Sequence, residues 1–295
     1  MRKLIVMILS VLLLSVFLVG CTPRRGDTIV IASKDYTEQD IMGHMLNILI
    51  RENTTLNTDL RSNMNSFVIY QAIVAGHVDV YVEYSGTIVG AFFGDTEPRH
   101  PDETFRIARE GMRERYNALY LDRLGFNNTY TLAVRPDTAE RFNLRTISDL
   151  ARVSPELTIG AGMEFLNRED GIIGVRRVYG MNFGREMVSE GAIRYAALMN
   201  DEIQVIDAFS TDGMLLRHQL VVLEDNLDFF PAYHAAVLIR RDTAERFPQL
   251  MEVLNKLPGT LNDNSMRDLN YRVDVLHESP ESVARSFLRG AGLIP

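Results

Sequence analysis

The sequence predicts an α/β protein folded as two lobes, and two observations lead there. Short β-branched runs alternate with helical patterns along most of the chain, which favours helix-covered, mainly parallel sheets. In addition, the hexapeptide Asp-Thr-Ala-Glu-Arg-Phe occurs twice, at 137–142 and 242–247. Each copy follows an apolar strand ending in arginine, YTLAVR at 130–135 and AAVLIR at 235–240. Two such strand-to-helix junctions suit a chain that crosses from one lobe to the other and returns. In each copy the aspartate and the glutamate three residues on fit a capping-box-like helix start, with carboxylates facing the positive end of the dipole. The lobes are expected at 27–131 plus 237–295 and at 132–236, with crossings near 132–134 and 235–237.

The first 20 residues read as a signal peptide: Arg2 and Lys3, then a nearly unbroken apolar run that is short for a membrane span. Small residues close that run directly before Cys21, the only cysteine. The arrangement resembles a bacterial lipobox, in which the thiol is acylated and becomes the new N-terminus. Residues 21–27 (CTPRRGD) read as a polar tether. TIVIA at 28–32 is a compact strand, followed by a helix through Ile41, Met45, Ile48 and Leu49. Residues 66–75 form a second helix ended by Gly76, and 78–82 a buried strand.

Composition narrows the chemistry. Net charge is −8, and −10 once Arg2 and Lys3 are set aside, which argues against nucleic acid or an anionic membrane surface as partner. With Cys21 acylated, no disulfide is possible and the core alone must hold the fold. The six histidines show no pair at metal-ligand spacing, no thiol remains as nucleophile, and Gly160-Ala161-Gly162 lacks the third glycine of a phosphate loop. No metal, cofactor or catalytic residue is expected, and the chain is read as a non-enzyme.

The aromatic residues carry more. Tyr84 precedes Ser85-Gly86-Thr87, Tyr130 follows Asn127-Asn128-Thr129, Tyr233 follows Pro231, and Phe209 precedes Ser210-Thr211-Asp212-Gly213. Loops at strand carboxyl ends are where open α/β sheets bind ligands. Six segments occur in order: SKDYTEQ at 33–39, VYVEYSGT at 80–87, GFNNTY at 125–130, EFLNREDG at 164–171, DAFSTDG at 207–213 and FPAY at 230–233. Together they resemble the substrate-binding proteins of osmoprotectant ABC transporters, the glycine betaine/carnitine/choline-binding family.

That resemblance implies a two-lobed periplasmic-binding-protein fold of type II-like form, with a ligand cleft between two α/β lobes. It implies a box of Tyr84, Tyr130, Phe209 and Tyr233 for a quaternary ammonium, with the Asn128 carbonyl facing the methyl groups. Lys34, Thr87 and Arg168 would hold a carboxylate, and Gln39 would contact polar ligand tails or cap the first helix. Phe209 departs from the family's usual tyrosine. A neutral Thr87, where an acid would suit choline, leans toward zwitterions such as glycine betaine, proline betaine or carnitine. The implied partners are an ABC permease and its ATPase, with the membrane met only through the lipid. A monomeric, extracytoplasmic, membrane-anchored protein is expected. The alternatives are the same fold serving another small cation or an amino acid, a lipid-anchored enzyme, and an osmolyte sensor subunit.

Overall fold

The computed structural model describes residue 26 and residues 28–295 except 96 and 98. The signal peptide, Cys21 and nearly all of the tether lie outside the described residues.

Among the described residues, ten strands form two five-stranded sheets. The first contains β1 (Thr28–Lys34), β2 (Asn57–Met64), β3 (Val80–Tyr84), β4 (Ala118–Asn127) and β10 (His234–Arg240), in the order β2-β1-β3-β10-β4. The second contains β5 (Tyr130–Val134), β6 (Thr158–Ala161), β7 (Arg185–Val188), β8 (Val205–Phe209) and β9 (Val221–Val222), in the order β7-β6-β8-β5-β9. The orders match position for position, so β5 stands in the second sheet where β10 stands in the first. These are the two strands that precede the repeated hexapeptide.

The sheets are mixed, which corrects the expectation of mainly parallel ones. β1 runs parallel to β2 and β3, and β6 parallel to β7 and β8. β10 runs antiparallel to β3 and β4, and β5 antiparallel to β8 and β9. The reason is topological. β5 and β10 enter their sheets from the junction between lobes, toward which β3 and β8 run, so they must point the other way.

The crossing points also move. Residues 132–134 lie inside β5 and 235–237 inside β10; the chain changes sheets at 128–129 and again between β9 and β10. Residues 130–131, expected in the first lobe, belong to the second sheet, and 234–236 belong to the first.

The hexapeptide junctions are alike in atomic detail, though not as capping boxes. Arg135 and Arg240 are the N-cap residues, with extended backbone and no side-chain cap bond. Each arginine Nε donates to the aspartate two residues on, at 2.9 Å to Asp137 and 2.8 Å to Asp242. Each aspartate also accepts from the next threonine's backbone N–H. The carboxylate sits inside the first turn, where the dipole favours it, and spends its acceptors on the arginine.

Strand alternation sets the core. In β1, Ile29 and Ile31 join one buried cluster with Ile41, Met45, Leu49, Leu269 and Val283 from helices Thr37–Asn53, Asp263–Asp274 and Pro280–Gly290. Val30 and Ala32 face the other side, with Ile69, Ile73 and Met112 from helices Ser66–Val74 and Pro101–Arg115. The second sheet is likewise covered on both faces. Each fully buried aliphatic side chain of this kind contributes about 1.5–3 kcal/mol relative to exposure.

Helix Asp263–Asp274, packed on the first lobe, also reaches the second. Arg267 Nε and Nη2 donate to the Ser210 carbonyl at 3.0 and 2.6 Å, and Asn270 Nδ2 to the Thr211 carbonyl at 2.8 Å. Gly213 opens helix Gly213–Arg217 against this helix so closely that a Cβ there would lie 2.5 Å from the Tyr271 backbone nitrogen. Backbone cannot give way as a side-chain tip can. Gly213→Ala is therefore expected to lower the urea unfolding free energy by about 1–3 kcal/mol; an unchanged midpoint would show that this contact is looser in solution.

Candidate ligand-binding site

The candidate residues arrive at the lobe junction because strand ends from both sheets meet there. Lys34 ends β1, Tyr84 ends β3 and Phe209 ends β8, while Tyr130 begins β5 and Tyr233 immediately precedes β10. The two crossing segments are bonded to each other. Tyr233 N donates to Asn127 Oδ1 at 2.6 Å, Asn128 N to the Tyr233 carbonyl at 3.2 Å, and Thr129 Oγ1 to the Pro231 carbonyl at 2.7 Å. Ser85 Oγ donates to the Ala232 carbonyl at 3.0 Å and accepts from His234 N at 3.1 Å. The ring of Tyr233 lies over Gly86: a Cβ there would come within 2.8 Å of it.

On the second-lobe side, Tyr130 and Phe209 are directly opposite across the β5–β8 pair. Their rings stack at 4.9 Å with 25° between planes, and Phe165 lies 5.2 Å from Tyr130. Phe209 remains 46% exposed, an apolar ring face at the mouth of the junction. The Arg168 guanidinium lies 6.0 Å from the Tyr130 centroid. It is already engaged, by Asp170 through Nε and Nη2 at 2.6 Å each and by Glu164 through Nη1 at 2.7 Å. Burial first, then the Asp170 charge, raises the Tyr233 phenol, against the opposing charge and hydrogen bond of Arg168. Arg168 and Tyr233 are thus neighbours across the junction.

On the first-lobe side the residues sit deeper. Tyr84 is 3% and Lys34 4% exposed. Lys34 Nζ donates to Glu83 Oε1 at 2.5 Å and lies 5.0 Å from the Tyr84 centroid. Glu83 also accepts from the Tyr81 hydroxyl at 3.1 Å and from Tyr84 N at 2.8 Å. Thr87 opens a short π-helical turn, Thr87–Phe92, and is half-buried. The structure therefore gathers Tyr130, Phe209, Arg168 and Tyr233 into one cluster and sets Tyr84 and Lys34 beneath the first-lobe surface. Asn128 bridges them, its Nδ2 donating to Glu38 Oε1 at 2.9 Å. Gln39 Nε2 bonds the Val82 carbonyl at 3.1 Å and the Tyr84 hydroxyl at 3.0 Å, so it supports the tyrosine and makes no cap.

Glu38 is the residue that reading the sequence missed. It is buried beside Tyr84, whose hydroxyl donates to its Oε1 at 2.5 Å. Its only signal was its place between Tyr36 and Gln39 in SKDYTEQ. Asn270, which donates to Glu38 Oε2 at 3.3 Å, gave none. Among the described residues no group of three or more His, Cys, Asp or Glu is placed to hold a metal, and no helix is long and apolar enough to cross a membrane. An open groove lined by Arg113, Leu119, Arg241, Ala244, Glu245 and Met251 lies at the opposite ends of β4 and β10. It is separated from the aromatic cluster by the roughly 20 Å length of β10 and belongs to another surface.

The family model described as the substrate binding domain of ABC-type glycine betaine transport system matches residues 27–290. The carnitine transport binding protein OpuCC of Listeria monocytogenes is 34% identical over 299 residues, spanning 98% of this chain and 97% of that protein. The ergothioneine transport permease/ergothioneine binding protein EgtU of Helicobacter pylori is 33% identical over 90% of this chain and 48% of its own length. The crystal structure of a glycine betaine/carnitine/choline ABC transporter superposes with a TM-score of 0.86 at 30% identity, over 90% of this chain and 99% of that one.

The burial of Glu38 has a pH signature. Desolvation raises its carboxyl above the ordinary value, opposed by hydrogen bonds from Tyr84, Thr211, Asn128 and Asn270. The folded protein therefore takes up this proton before the unfolded chain does as pH falls. The group's penalty on stability is greatest above its folded pKa and shrinks on acidification toward the unfolded value. Urea unfolding of wild type and Glu38→Gln is expected to show the stability difference moving in favour of wild type between pH 7 and pH 5. A difference constant with pH would place this carboxyl at its ordinary value.

Proposed function

Because this chain belongs to the family of substrate-binding domains of ABC-type glycine betaine transport systems, we propose that it captures a quaternary ammonium solute at the lobe junction and delivers it to a membrane permease. The observation that carries this reading is the Tyr130–Phe209 stack at the mouth of the junction, with Tyr233 and Arg168 beside it. A quaternary ammonium has no N–H to donate, so polar acceptors grip it poorly. Aromatic faces hold it through their quadrupoles, at about 0.5–2 kcal/mol per contact.

Tyr130, Phe209 and Tyr233 would form the walls, with Tyr84 closing the first-lobe side and the Asn128 carbonyl facing the methyl groups. Arg168, Lys34 and Thr87 would meet the carboxylate of a betaine. Arg168 has one N–H on each Nη beyond those serving Glu164 and Asp170, and the Tyr233 hydroxyl faces one of them. The two sheet units act as lobes that close about 128–129 and 231–233, ligand contacts from both sides favouring the closed form. No bond of the ligand is made or broken. Cleavage after residue 20 and acylation of Cys21 would tether a monomeric capture protein outside the cytoplasm, near its permease, at raised effective concentration.

A second ligand deserves a place in the test because of the relative named for ergothioneine. Ergothioneine is itself a trimethylammonium carboxylate and presents the same two ends.

Calorimetry with glycine betaine, carnitine, choline, proline betaine, ergothioneine and proline tests the proposal. At least one quaternary compound is expected to bind below millimolar; binding of proline alone would overturn the reading. Phe209→Ala is expected to weaken that binding about tenfold, or about 1.4 kcal/mol, with little change in the empty protein's stability, since the ring is half-exposed. Arg168→Met is expected to weaken glycine betaine more than choline. Equal losses for both would remove Arg168 from the carboxylate's partners.

A further inference from the structure

We propose that Glu38 is a positioning residue of the ligand site, a buried carboxylate that fixes Tyr84 and the 209–212 loop relative to each other across the lobe boundary. The inference rests on the quaternary-ammonium reading above and extends it to a residue that touches no proposed ligand atom.

Glu38 is 3% exposed and has no cationic partner among the described residues. Every group found on it is a neutral donor. The Tyr84 hydroxyl and Asn128 Nδ2 donate to Oε1 at 2.5 and 2.9 Å, Asn270 Nδ2 donates to Oε2 at 3.3 Å, and the Thr211 side chain faces the same carboxylate. A buried carboxylate without a counter-ion is costly, and a site that keeps one must need its acceptors. Only a carboxylate offers acceptors on both oxygens. An amide would turn an N–H2 toward donors. The position at the second residue of helix Thr37–Asn53 lends support from the helix N-terminus.

The three donors and Thr211 come from four separate elements. Tyr84 is the end of β3, Asn128 lies on the first crossing segment, Thr211 lies on the second-lobe loop after β8, and Asn270 sits on helix Asp263–Asp274. Asn270 uses the same Nδ2 for Glu38 and for the Thr211 carbonyl, at 2.8 Å. That loop begins with Phe209, the exposed half of the aromatic stack. Two proposed walls of the box, one from each lobe, are therefore referred to a single carboxylate. Holding the two walls in register in the closed form removes part of the ordering cost of binding.

The test is glycine betaine calorimetry at pH 7.5 on wild type, Glu38→Gln, Asn270→Ala, Tyr84→Phe and the double variant Glu38→Gln/Tyr84→Phe, each also unfolded in urea. Glu38→Gln is expected to weaken binding at least fivefold in protein that remains folded. The double variant is expected to bind no more weakly than the worse single one, because both break the same link. Asn270→Ala, which touches no aromatic wall, is expected to weaken binding two- to fivefold. A purely structural Glu38 would shift the urea midpoint and leave the affinity of the folded protein at the wild-type value, with independent effects in the double variant. Either result overturns the proposal. Should Glu38→Gln not fold, Asn270→Ala and its double variant with Tyr84→Phe carry the same cycle. Wild-type protein that binds glycine betaine while Glu38→Gln binds it equally well counts against Glu38 alone. Wild-type protein that binds none of the quaternary compounds overturns both readings.

Discussion

The architecture depends on two chain crossings that are hydrogen-bonded to each other. Asn127 Oδ1 accepts from the Tyr233 N–H, Asn128 N donates to the Tyr233 carbonyl, and Thr129 donates to the Pro231 carbonyl. Among the described residues, the covalent routes between the sheets thus run side by side at one place. β5 and β10 must start there, which is why each runs antiparallel in an otherwise parallel set of neighbours. Strands that run the other way end there, bringing Lys34, Tyr84 and Phe209 to the same region. The site is a consequence of where the chain changes sheets.

This constraint explains why the fold was readable in sequence and its boundary was not. β1, β5 and β10 stand out as apolar, β-branched runs, and the repeated hexapeptide marks β5 and β10, which hold equivalent places in the two sheets. The crossing lies a few residues outside its expected place because burial is continuous from Tyr130 to Val134 and from Ala235 to Ile239. A strand pattern reports burial, and both sides of the crossing are buried. The turn residues Asn127-Asn128-Thr129 and Pro231 were the better markers, since a junction needs side chains that satisfy backbone groups outside any ladder.

The candidate site divides in the same way. Its aromatic members stood out because Tyr84, Tyr130, Phe209 and Tyr233 sit beside turn residues, where a purely structural ring is less needed. The groups that position them did not. Glu38 and Asn270 lie 232 residues apart and meet only in the folded protein. Asn270, among the polar residues of an amphipathic helix, looks like any solvated position. Glu38, early in a helix, looks like a favourable dipole partner, which it also is. Long-range polar contacts leave no periodicity, so their members cannot be separated from surface residues by pattern alone.

The charges around the cluster refine what a ligand would meet. Lys34 is matched by Glu83, and Arg168 by Asp170 and Glu164. Neither cation offers a net positive charge, so a betaine carboxylate would find oriented N–H donors whose charge is already balanced. Such donors discriminate by geometry more than by attraction, because a misplaced carboxylate meets Asp170 or Glu83 at close range. The carboxylates of Asp170, Glu164 and Glu83 outnumber the cations Arg168 and Lys34, a balance that would favour the cationic end of a zwitterion over its anionic end. Attraction would then come from the ammonium and its ring faces, and selection from how well the remainder fits donors that are already partly spent. A site built this way would rank trimethylammonium compounds by the shape of their polar ends.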